Sequence, residues 1–458
     1  MKRDSVVILG GGVAGLTTAY FLGRAGYRPL VLEASDQLGG LGASFQHDGV
    51  TIDRFYHVLL DTDSELLGLV DELGLAEHLV WQATGMGFYL GGRLYGMNSP
   101  LDLLRFAALP VGDRLRTAWG AVRATRLQRD PLQLDDVTAR EWLHRLFGER
   151  VAARIWEPLL RAKFGDAAPT IPAYWVWSLL NREKNGGKEV KGYLRGGFQV
   201  LADRLCQAIR ANGGEVRLNH PVSRLDRDGD DMVLLSQGEV VRANLALSTL
   251  PVALLRRIAS PAIAADLPRA DLRYQGVVNA VVVGKKPLEQ YYWTIVVDPR
   301  FAFQGVVETT HVIPPQWLGD RHLVYLMNYC DAGSETYGRS DETLRAQALD
   351  GLSQLYPRFR REDVEAVYVF RAPHVEPVWS LGYTRKRPGY RVGNSNLYLT
   401  TTAQAYPRVT AWNTSIALAR EAVATMLAQH GQPSAEASEP MRPNLPSSAD
   451  FPRAAASV

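Results

Sequence analysis

Three glycines near the start of the chain have the spacing of a phosphate-binding turn. Gly10, Gly12 and Gly15 form the pattern G-x-G-x-x-G in the stretch LGGGVAGL. Gly10 permits a tight turn, Gly12 lets the backbone approach a pyrophosphate because it lacks a Cβ, and Gly15 allows close helix–sheet packing. The amides of Val13 and Ala14 would open a helix, and a helix N-terminus favours negative charge. The pattern therefore predicts a dinucleotide phosphate at this turn.

An acidic residue follows at the distance expected of a ribose-binding group. Glu33, with Ala34 beside it, ends the next apolar run. Its carboxylate can accept hydrogen bonds from ribose hydroxyls, and its charge would oppose a 2′-phosphate. These residues favour a dinucleotide but leave NAD and FAD both open.

The elements that must position these residues have the order strand–turn–helix–strand. Residues 5–9 are an apolar run typical of a buried strand, 13–25 suit a helix that ends at Gly26, and 28–32 predict a second strand. A glycine-rich turn in another α/β fold can carry the same string by itself. The complete unit with an acid at its end favours dinucleotide binding.

Length and composition indicate a large globular protein with more than one domain. The chain has 458 residues, 46% of them hydrophobic, and a net charge of +3, which gives no sign of nucleic-acid binding. Cys206 and Cys330 are far apart, so we expect neither a disulfide scaffold nor a metal site. Residues 431–458 are rich in Pro, Ser and Ala and predict a disordered tail.

The expected location is the cytoplasm. The apolar run at residues 5–9 is too short for a signal-peptide core, and no uncharged stretch reaches the roughly 20 residues that span a bilayer. Peripheral membrane contact and the oligomeric state stay open.

The glycine turn, Glu33 and the pair Gly39-Gly40 together resemble the superfamily of flavin-containing amine oxidases and protoporphyrinogen oxidases. That superfamily also includes UDP-galactopyranose mutase and phytoene desaturases. The resemblance implies that the dinucleotide is FAD and that the glycine pair runs beside its pyrophosphate. An Arg commonly follows the pair in the superfamily, whereas Leu41 stands here.

Two later segments extend the resemblance. RGGFQVLADRLCQAIRANGGEVRLNHPVSRLD resembles the segment that returns to the FAD domain, and it implies that the backbone of Val222 contacts the adenine. NLYLTTTAQAYPRVTAWNTSIALAREAVATML resembles the closing strand and helix. There Thr401 and Thr402 replace the usual Gly-Asp or Asn, and a hydroxyl of Thr402 is expected near the cofactor.

The closing helix is predicted from about residue 413, with Asn413 as its N-cap and Thr414 in its first turn. The resemblance implies that its N-terminal amides stabilise negative charge near N1 and O2 of the flavin. Trp412 would lie beside the isoalloxazine, or would anchor the loop in the core.

By the same resemblance, Asp53 and His57 match an acid and a histidine that pass near the flavin ring. His57 is the candidate catalytic residue. The alternative is a histidine packed in an aromatic cluster with Phe55 and Tyr56. The sequence has no H-E-x-x-H, G-x-S-x-G or Walker A motif.

The resemblance implies an α/β fold in which a discontinuous, doubly wound, Rossmann-like FAD-binding domain carries an inserted α+β substrate domain. The FAD-binding domain is predicted at residues 1–85, 190–268 and 385–430, and the substrate domain at 86–189 and 269–384. The alternation around Gly91-Gly92 predicts a hairpin, and Ser99-Pro100 would begin helical segments that run to about residue 180. The strands between about 270 and 380, which a helix at about 341–355 interrupts, predict an antiparallel sheet beside the substrate. Alternation does not say which of four polar side chains on it face inward: Tyr325, Tyr329, His311 and Arg371.

The implied function is that of an FAD-dependent oxidoreductase, which transfers a hydride from a small organic substrate to flavin N5. An oxidase, a dehydrogenase and a desaturase all stay open. The alternative is a non-redox flavoenzyme of the UDP-galactopyranose mutase type, which would need an arginine pair for a pyrophosphate. Arg161, Arg182 and Arg195 are candidates, the last two in a predicted mobile loop at 181–197. A nicotinamide enzyme without flavin is a third possibility.

Overall fold

The apolar run before the glycine turn forms a buried parallel strand, and the residues after the turn form a helix, as their patterns predict. A computed structural model describes residues 5–182, 190–268, 272–288 and 291–430. The predicted tail lies outside the described residues, as do residues 183–189 of the predicted mobile loop. The ends of that loop are regular structure instead, because 181–182 close a helix and 190–194 form a strand.

The strands of the described residues are, in chain order, β1 (Ser5–Leu9), β2 (Arg28–Leu32), β3 (Ser44–His47), β4 (Val50–Asp53), β5 (Leu79–Ala83), β6 (Met86–Leu90), β7 (Arg93–Gly96), β8 (Val190–Leu194), β9 (Glu215–Arg217), β10 (Val222–Asp228), β11 (Asp231–Ser236), β12 (Glu239–Ala243), β13 (Leu245–Ser248), β14 (Arg273–Gly284), β15 (Trp293–Val296), β16 (Gly305–Glu308), β17 (His322–Cys330), β18 (Val364–Val378) and β19 (Leu397–Leu399).

The α-helices of the same residues are α1 (Val13–Arg24), α2 (Ser64–Glu72), α3 (Pro100–Arg105), α4 (Val111–Val122), α5 (Ala139–Phe147), α6 (Glu149–Val151), α7 (Glu157–Phe164), α8 (Ala173–Arg182), α9 (Phe198–Ala211), α10 (Val252–Ile258), α11 (Pro261–Asp266), α12 (Glu335–Gly338), α13 (Asp341–Leu355) and α14 (Trp412–His430). Short π-helical segments follow α4 and join α6 to α7.

A five-stranded parallel sheet, ordered β19-β13-β1-β2-β9, carries the glycine turn. Its strands come from three distant parts of the chain, within residues 5–32, 215–248 and 397–399, which agrees with the discontinuous fold class that the resemblance implies. Alternate side chains of β1 enter different cores. Val6 and Ile8 pack with α1, α9 and α14, whereas Val7 and Leu9 pack with the antiparallel sheet β10-β11-β12 and with α10 and α11.

A seven-stranded sheet, ordered β18-β14-β17-β16-β15-β6-β7, forms the second layer. Its neighbours are antiparallel, as predicted, except that β6 pairs with β15 in parallel. That pair adds the predicted hairpin around Gly91-Gly92 to the sheet edge. One face of the sheet packs toward the parallel sheet, and the other packs under α13. The predicted helix at 341–355 is α13.

Helices α3 to α8 form a third region around a separate aromatic-rich core. Ser99 starts α3 as predicted, since its Oγ accepts a hydrogen bond from the amide of Asp102. Thr138 and Glu141 form a capping box at the start of α5. The domain boundaries predicted from the sequence stay a prediction.

Candidate functional site

The glycine turn and the glycine pair form a single cradle. The amide of Gly39 donates to the carbonyl of Gly11 at 2.9 Å, and Gly12 and Gly39 are bridge partners. A Cβ on Gly40 would lie 3.3 Å from the Cα of Gly12, and a Cβ on Gly12 would lie 3.9 Å from the Cα of Gly40. Any side chain here would fill the gap between the two backbones. The cradle therefore fits a group that must approach the backbone closely, as a pyrophosphate does.

The outer glycines of the motif are required by packing. Gly10 has φ +108°, and a Cβ on it would overlap the hydroxyl of Thr249 after β13. A Cβ on Gly15 would overlap the carbonyl oxygen of Gly10. A Cβ on Gly12, by contrast, would overlap none of the described residues. The requirement for glycine at this position therefore fits the close approach of a ligand to the backbone.

The start of α1 faces the cradle without a side-chain cap. Gly12 precedes the helix, and the first turn contains no acidic residue. Among the residues that the structure describes, no side chain accepts a hydrogen bond from this turn. The amides of Val13 and Ala14 therefore have no side-chain partner and carry the positive end of the helix dipole. This end of α1 is suited to an anionic group.

Glu33 ends β2 and lies against the turn. Its Oε2 accepts from the amide of Gly11 at 2.6 Å, and its Oε1 accepts from the amide and hydroxyl of Ser35 at 2.9 and 2.7 Å. The amide of His220 donates to the carbonyl of Glu33 at 2.8 Å. Val222 follows two residues later, so the structure brings Glu33 and Val222 to one edge, with Ala34 exposed beside them. Oε2 keeps a lone pair for a further donor, whereas both lone pairs of Oε1 are used by Ser35.

A cavity of about 120 Å³ lies between the start of α1, the loops after β13 and β19, and α14. Its lining residues are Ala14, Thr249, Pro251, His374, Thr400, Thr401, Thr402, Ser415 and Leu418. The hydroxyl of Thr400 is buried there with no hydrogen-bond partner, whereas that of Thr402 donates to Tyr274 at 3.3 Å. Sequence reasoning missed Thr249, His374 and Thr400. Thr249 directly follows the buried strand β13, and this position is the signal from which it could have been predicted.

The start of α14 differs from its prediction. The helix begins at Trp412, so Asn413 lies inside the first turn and is not the N-cap. Its Oδ1 accepts from the amide of Leu66 in the first turn of α2, at 3.0 Å. The hydroxyl of Thr414 turns back to the carbonyl of Val409 at 2.7 Å. The cap prediction was wrong because the Asn413 side chain serves a neighbouring helix whose amide needs an acceptor.

Trp412 lies against Gly42, two residues after the glycine pair. Its ring centroid lies 4.4 Å from that of Phe198, and the two rings meet nearly edge to face. A Cβ on Gly42 would overlap the indole, so this third glycine of LGGLG is required. Leu41, between Gly42 and the pair, is 38% exposed. The sequence named Trp412 and missed Gly42.

His57 lies between α9 and α14. Its ring centroid is 5.0 Å from Phe198 and 5.9 Å from Trp412, and its Nδ1 is buried without a hydrogen-bond partner. Burial lowers the pKa of His57 to about 4, so the ring is neutral at pH 7. His57 is thus packed among aromatic rings, but these are Phe198 and Trp412 rather than the predicted Phe55 and Tyr56. Its place near the flavin ring stays a prediction.

Asp53 joins four elements beside His57. Its carboxylate accepts from the hydroxyl of Tyr193 at 2.7 Å and from the amide of Phe198 at 3.2 Å. The latter bond caps α9, which has no side-chain cap of its own. The hydroxyl of Tyr325 donates to the carbonyl of Asp53 at 2.8 Å. Burial raises the pKa of Asp53 to about 7, although its two hydrogen bonds oppose the shift.

The structure shows which way the four polar side chains predicted near the substrate face on the seven-stranded sheet. Tyr325 and Tyr329 lie on the face toward the parallel sheet. Arg371 points to the other face, where it pairs with Asp341 at 2.7 Å. His311 lies after β16, with its Nε2 3.4 Å from a carboxylate oxygen of Glu308.

A partly buried ion pair lies between the helical region and the inner sheet face. Lys163 Nζ is 3.3 Å from Oε2 of Glu376, which also accepts from the hydroxyl of Thr410 at 2.6 Å. The Glu376 side chain is 4% exposed, and its Oε1 has no hydrogen-bond partner. Lys163 Nζ also lies 5.5 and 4.9 Å from the ring centroids of Trp175 and Tyr329. Sequence reasoning missed this pair, since the two residues are far apart in the chain.

The three arginines proposed for a pyrophosphate have separate surroundings. Arg182 pairs with Asp63 at 3.1 Å, Arg195 lies 5.3 Å from the ring of Trp317, and Arg161 is exposed on α7. They form no common anion site. Within the described ranges, no helix is both long enough and apolar enough to cross a membrane.

The sequence of this chain matches one family model and is similar to several curated proteins. The family model described as flavin containing amine oxidoreductase matches residues 13–420. The 15-cis-phytoene desaturase of Arabidopsis thaliana is 28% identical over 290 residues, which cover 56% of this chain and 49% of the desaturase. The flavin-containing amine oxidase B of Sus scrofa is 26% identical over 275 residues, with 56% and 52% covered. The chain thus spans about half the length of these curated relatives.

Solved structures share the fold along nearly the whole chain. A putative protoporphyrinogen oxidase from Exiguobacterium sp. 255-15 has a TM-score of 0.77 and 19% identity, with 94% of this chain and 100% of that one covered. Reduced UDP-galactopyranose mutase has a TM-score of 0.72 and 19% identity, with 93% and 96% covered. Putrescine oxidase bound to putrescine has a TM-score of 0.67 and 18% identity, with 93% and 99% covered.

Proposed function

Because this chain belongs to the family of flavin-containing amine oxidoreductases and has FAD as its cofactor, we propose that it removes a hydride from a small organic substrate. Membership confirms the resemblance, the fold class and the cofactor predicted from the sequence. The observation that carries the proposed reaction is the convergence of the glycine cradle, the start of α14 and the neutral His57 on one region.

The residues proposed to hold FAD fall into three groups. The pyrophosphate group comprises Gly10, Gly12, Val13, Ala14, Gly15, Gly39, Gly40 and Leu41. The adenosine group comprises Glu33, Ala34 and Val222. The flavin group comprises Thr402, Trp412, Asn413 and Thr414. The open cradle at Gly12 and the uncapped first turn of α1 support the first group, and the contact between residues 33 and 220 supports the second.

FAD, when bound, supplies an N5 atom that accepts a hydride. The chain contributes binding, orientation and exclusion of water. The first turns of α1 and α14 favour negative charge, and the rings of Phe198 and Trp412 exclude water around His57. His57 would then act as a neutral hydrogen-bonding group beside the flavin rather than as a base, because a pKa of about 4 makes it a weak proton acceptor at pH 7.

The substrate is proposed to enter from the layer formed by the helical region and the inner face of the seven-stranded sheet. Lys163 and Glu376 lie in that layer with the rings of Trp175 and Tyr329. The unpaired Oε1 of Glu376 can accept a hydrogen bond from a substrate. The mutase alternative gains no support, because the three candidate arginines do not meet.

The experiment is the visible spectrum of purified Gly12→Val. A side chain at this position fills the space between Gly12 and Gly40, so we expect the wild-type protein to be yellow and the variant to lose its bound flavin. Gly68→Val, at a helical glycine with open space around it, is the matched control and should stay yellow. Full flavin retention by Gly12→Val would show that the glycine cradle does not hold the pyrophosphate of FAD. Bleaching of the wild-type spectrum by a candidate substrate identifies a reductant. Turnover that requires prior reduction of the flavin identifies the mutase reaction.

A further inference from the structure

Exposed apolar side chains are concentrated in one segment of the chain. Among the described residues, eight of the ten large hydrophobic side chains that are exposed lie between positions 101 and 132, so they are not scattered at random. They are Leu101, Leu104, Val111, Leu115, Trp119, Val122, Leu127 and Leu132. We name this surface the α3–α4 face.

Helix α4 turns an apolar stripe outward. Val111, Leu115, Trp119 and Val122 lie within roughly 80° of one another around the helix axis, and the indole of Trp119 is 58% exposed. Gly120 lies on the opposite side of the helix, where a Cβ would be 2.7 Å from the ring of Phe147. The helix therefore packs closely on the protein at Gly120, and its large apolar residues face solvent.

The same segment is basic. Residues 101–132 contain six arginines and three aspartates, an excess equal to the net charge of +3 of the whole chain. One aspartate, Asp113, is already paired with Arg150 at 3.1 Å. Five of the arginines are exposed, namely Arg105, Arg116, Arg123, Arg126 and Arg129. An apolar stripe containing Trp and Leu with flanking arginines is typical of helices that lie in the interface of a membrane.

We infer that the α3–α4 face docks on the surface of an anionic phospholipid bilayer. The apolar stripe enters the boundary between headgroups and acyl chains, and the exposed arginines meet lipid phosphates. The basic flanks favour this occupant over a second copy of the chain, because two copies would bring like charges together.

The test is co-sedimentation of the holoenzyme with vesicles of phosphatidylcholine alone and of phosphatidylcholine mixed with phosphatidylglycerol in equal parts. We expect binding to the mixed vesicles. Combined Leu115→Ser and Trp119→Ser should weaken it at least about tenfold. Arg123→Gln and Arg126→Gln should each weaken binding to the mixed vesicles about fivefold and leave any binding to phosphatidylcholine alone unchanged.

Val240→Ser is the matched control, since Val240 is 58% exposed on β12 and lies outside this face. It should bind the vesicles like the wild type. Bound-flavin absorbance and thermal unfolding check that each variant is folded. If the combined serine variant does not fold, the arginine variants still test the inference. Wild-type binding by all face variants, or no binding to either vesicle, would overturn it. A lipid-free dimer that the serine variant abolishes would assign the face to a second copy instead.

Discussion

Asp53 and His57 are buried within one short segment, and burial shifts their pKa values in opposite directions. The pKa of Asp53 is raised from an ordinary value of 3.8 to about 7, so the folded state binds the extra proton between these values. Its contribution to stability is present at low pH and is lost as the pH rises through about 7. The pKa of His57 is lowered from 6.5 to about 4, so its contribution is present above 6.5 and is lost as the pH falls toward 4.

These two effects oppose each other between about pH 4 and pH 6.5, and single substitutions should separate them. Asp53→Asn should make the protein gain stability more steeply as the pH rises through this window. His57→Gln should make it lose stability over the same range. The measurement is the urea midpoint as a function of pH. Identical pH profiles for both variants and the wild type would show that neither group titrates as its burial indicates.

The pair of Lys163 and Glu376 gives a second prediction at the residue scale. Glu376→Gln leaves the lysine without its buried partner, and we expect a loss of about 1–3 kcal/mol of unfolding free energy, below the usual range for fully buried pairs because Lys163 is 26% exposed. Lys163→Met combined with Glu376→Gln should recover part of that loss, which a double-mutant cycle in urea measures. Additive losses would show that the two charges do not interact.

At the scale of elements, one amide side chain links two helices. Asn413→Ala removes the acceptor for the first turn of α2 and should lower the unfolding free energy by about 0.5–2 kcal/mol. Asn413→Asp keeps an acceptor and is the matched control. If both variants have the stability of the wild type, the contact does not support α2.

The elements themselves were largely predictable. The strand–turn–helix–strand unit, the hairpin at Gly91-Gly92 and the helix at 341–355 follow from local apolar patterns and turn residues, and all are present. The start of α14 was misassigned because Asn413 suits a cap locally, while its true partner, Leu66, lies 347 residues away in sequence. Sequence patterns describe neighbours along the chain and do not show such partners.

At the scale of the whole molecule, the cofactor region is assembled from distant segments. Gly12 and Gly40 meet face to face, Thr249 covers Gly10, and Trp412 covers Gly42. Gly10, Gly12 and Gly40 could be predicted because each needs a backbone conformation or close approach that other residues prevent, whereas Gly42 was missed. Their partners could not be predicted, since a packed interface depends on the relative placement of two sheets.

The resemblance to a known family supplied FAD as the cofactor and the doubly wound parallel sheet. Residue patterns alone predicted the dinucleotide turn and the second, mainly antiparallel sheet. These depend on residue types at short spacing, because glycine tolerance and apolar alternation are local properties of the chain. Only the tertiary structure decided that Tyr325 faces Asp53 while Arg371 faces away, that Lys163 meets Glu376, and that α4 exposes its apolar stripe. Period-two alternation divides a strand into two faces, but what packs against each face is fixed only when the layers assemble.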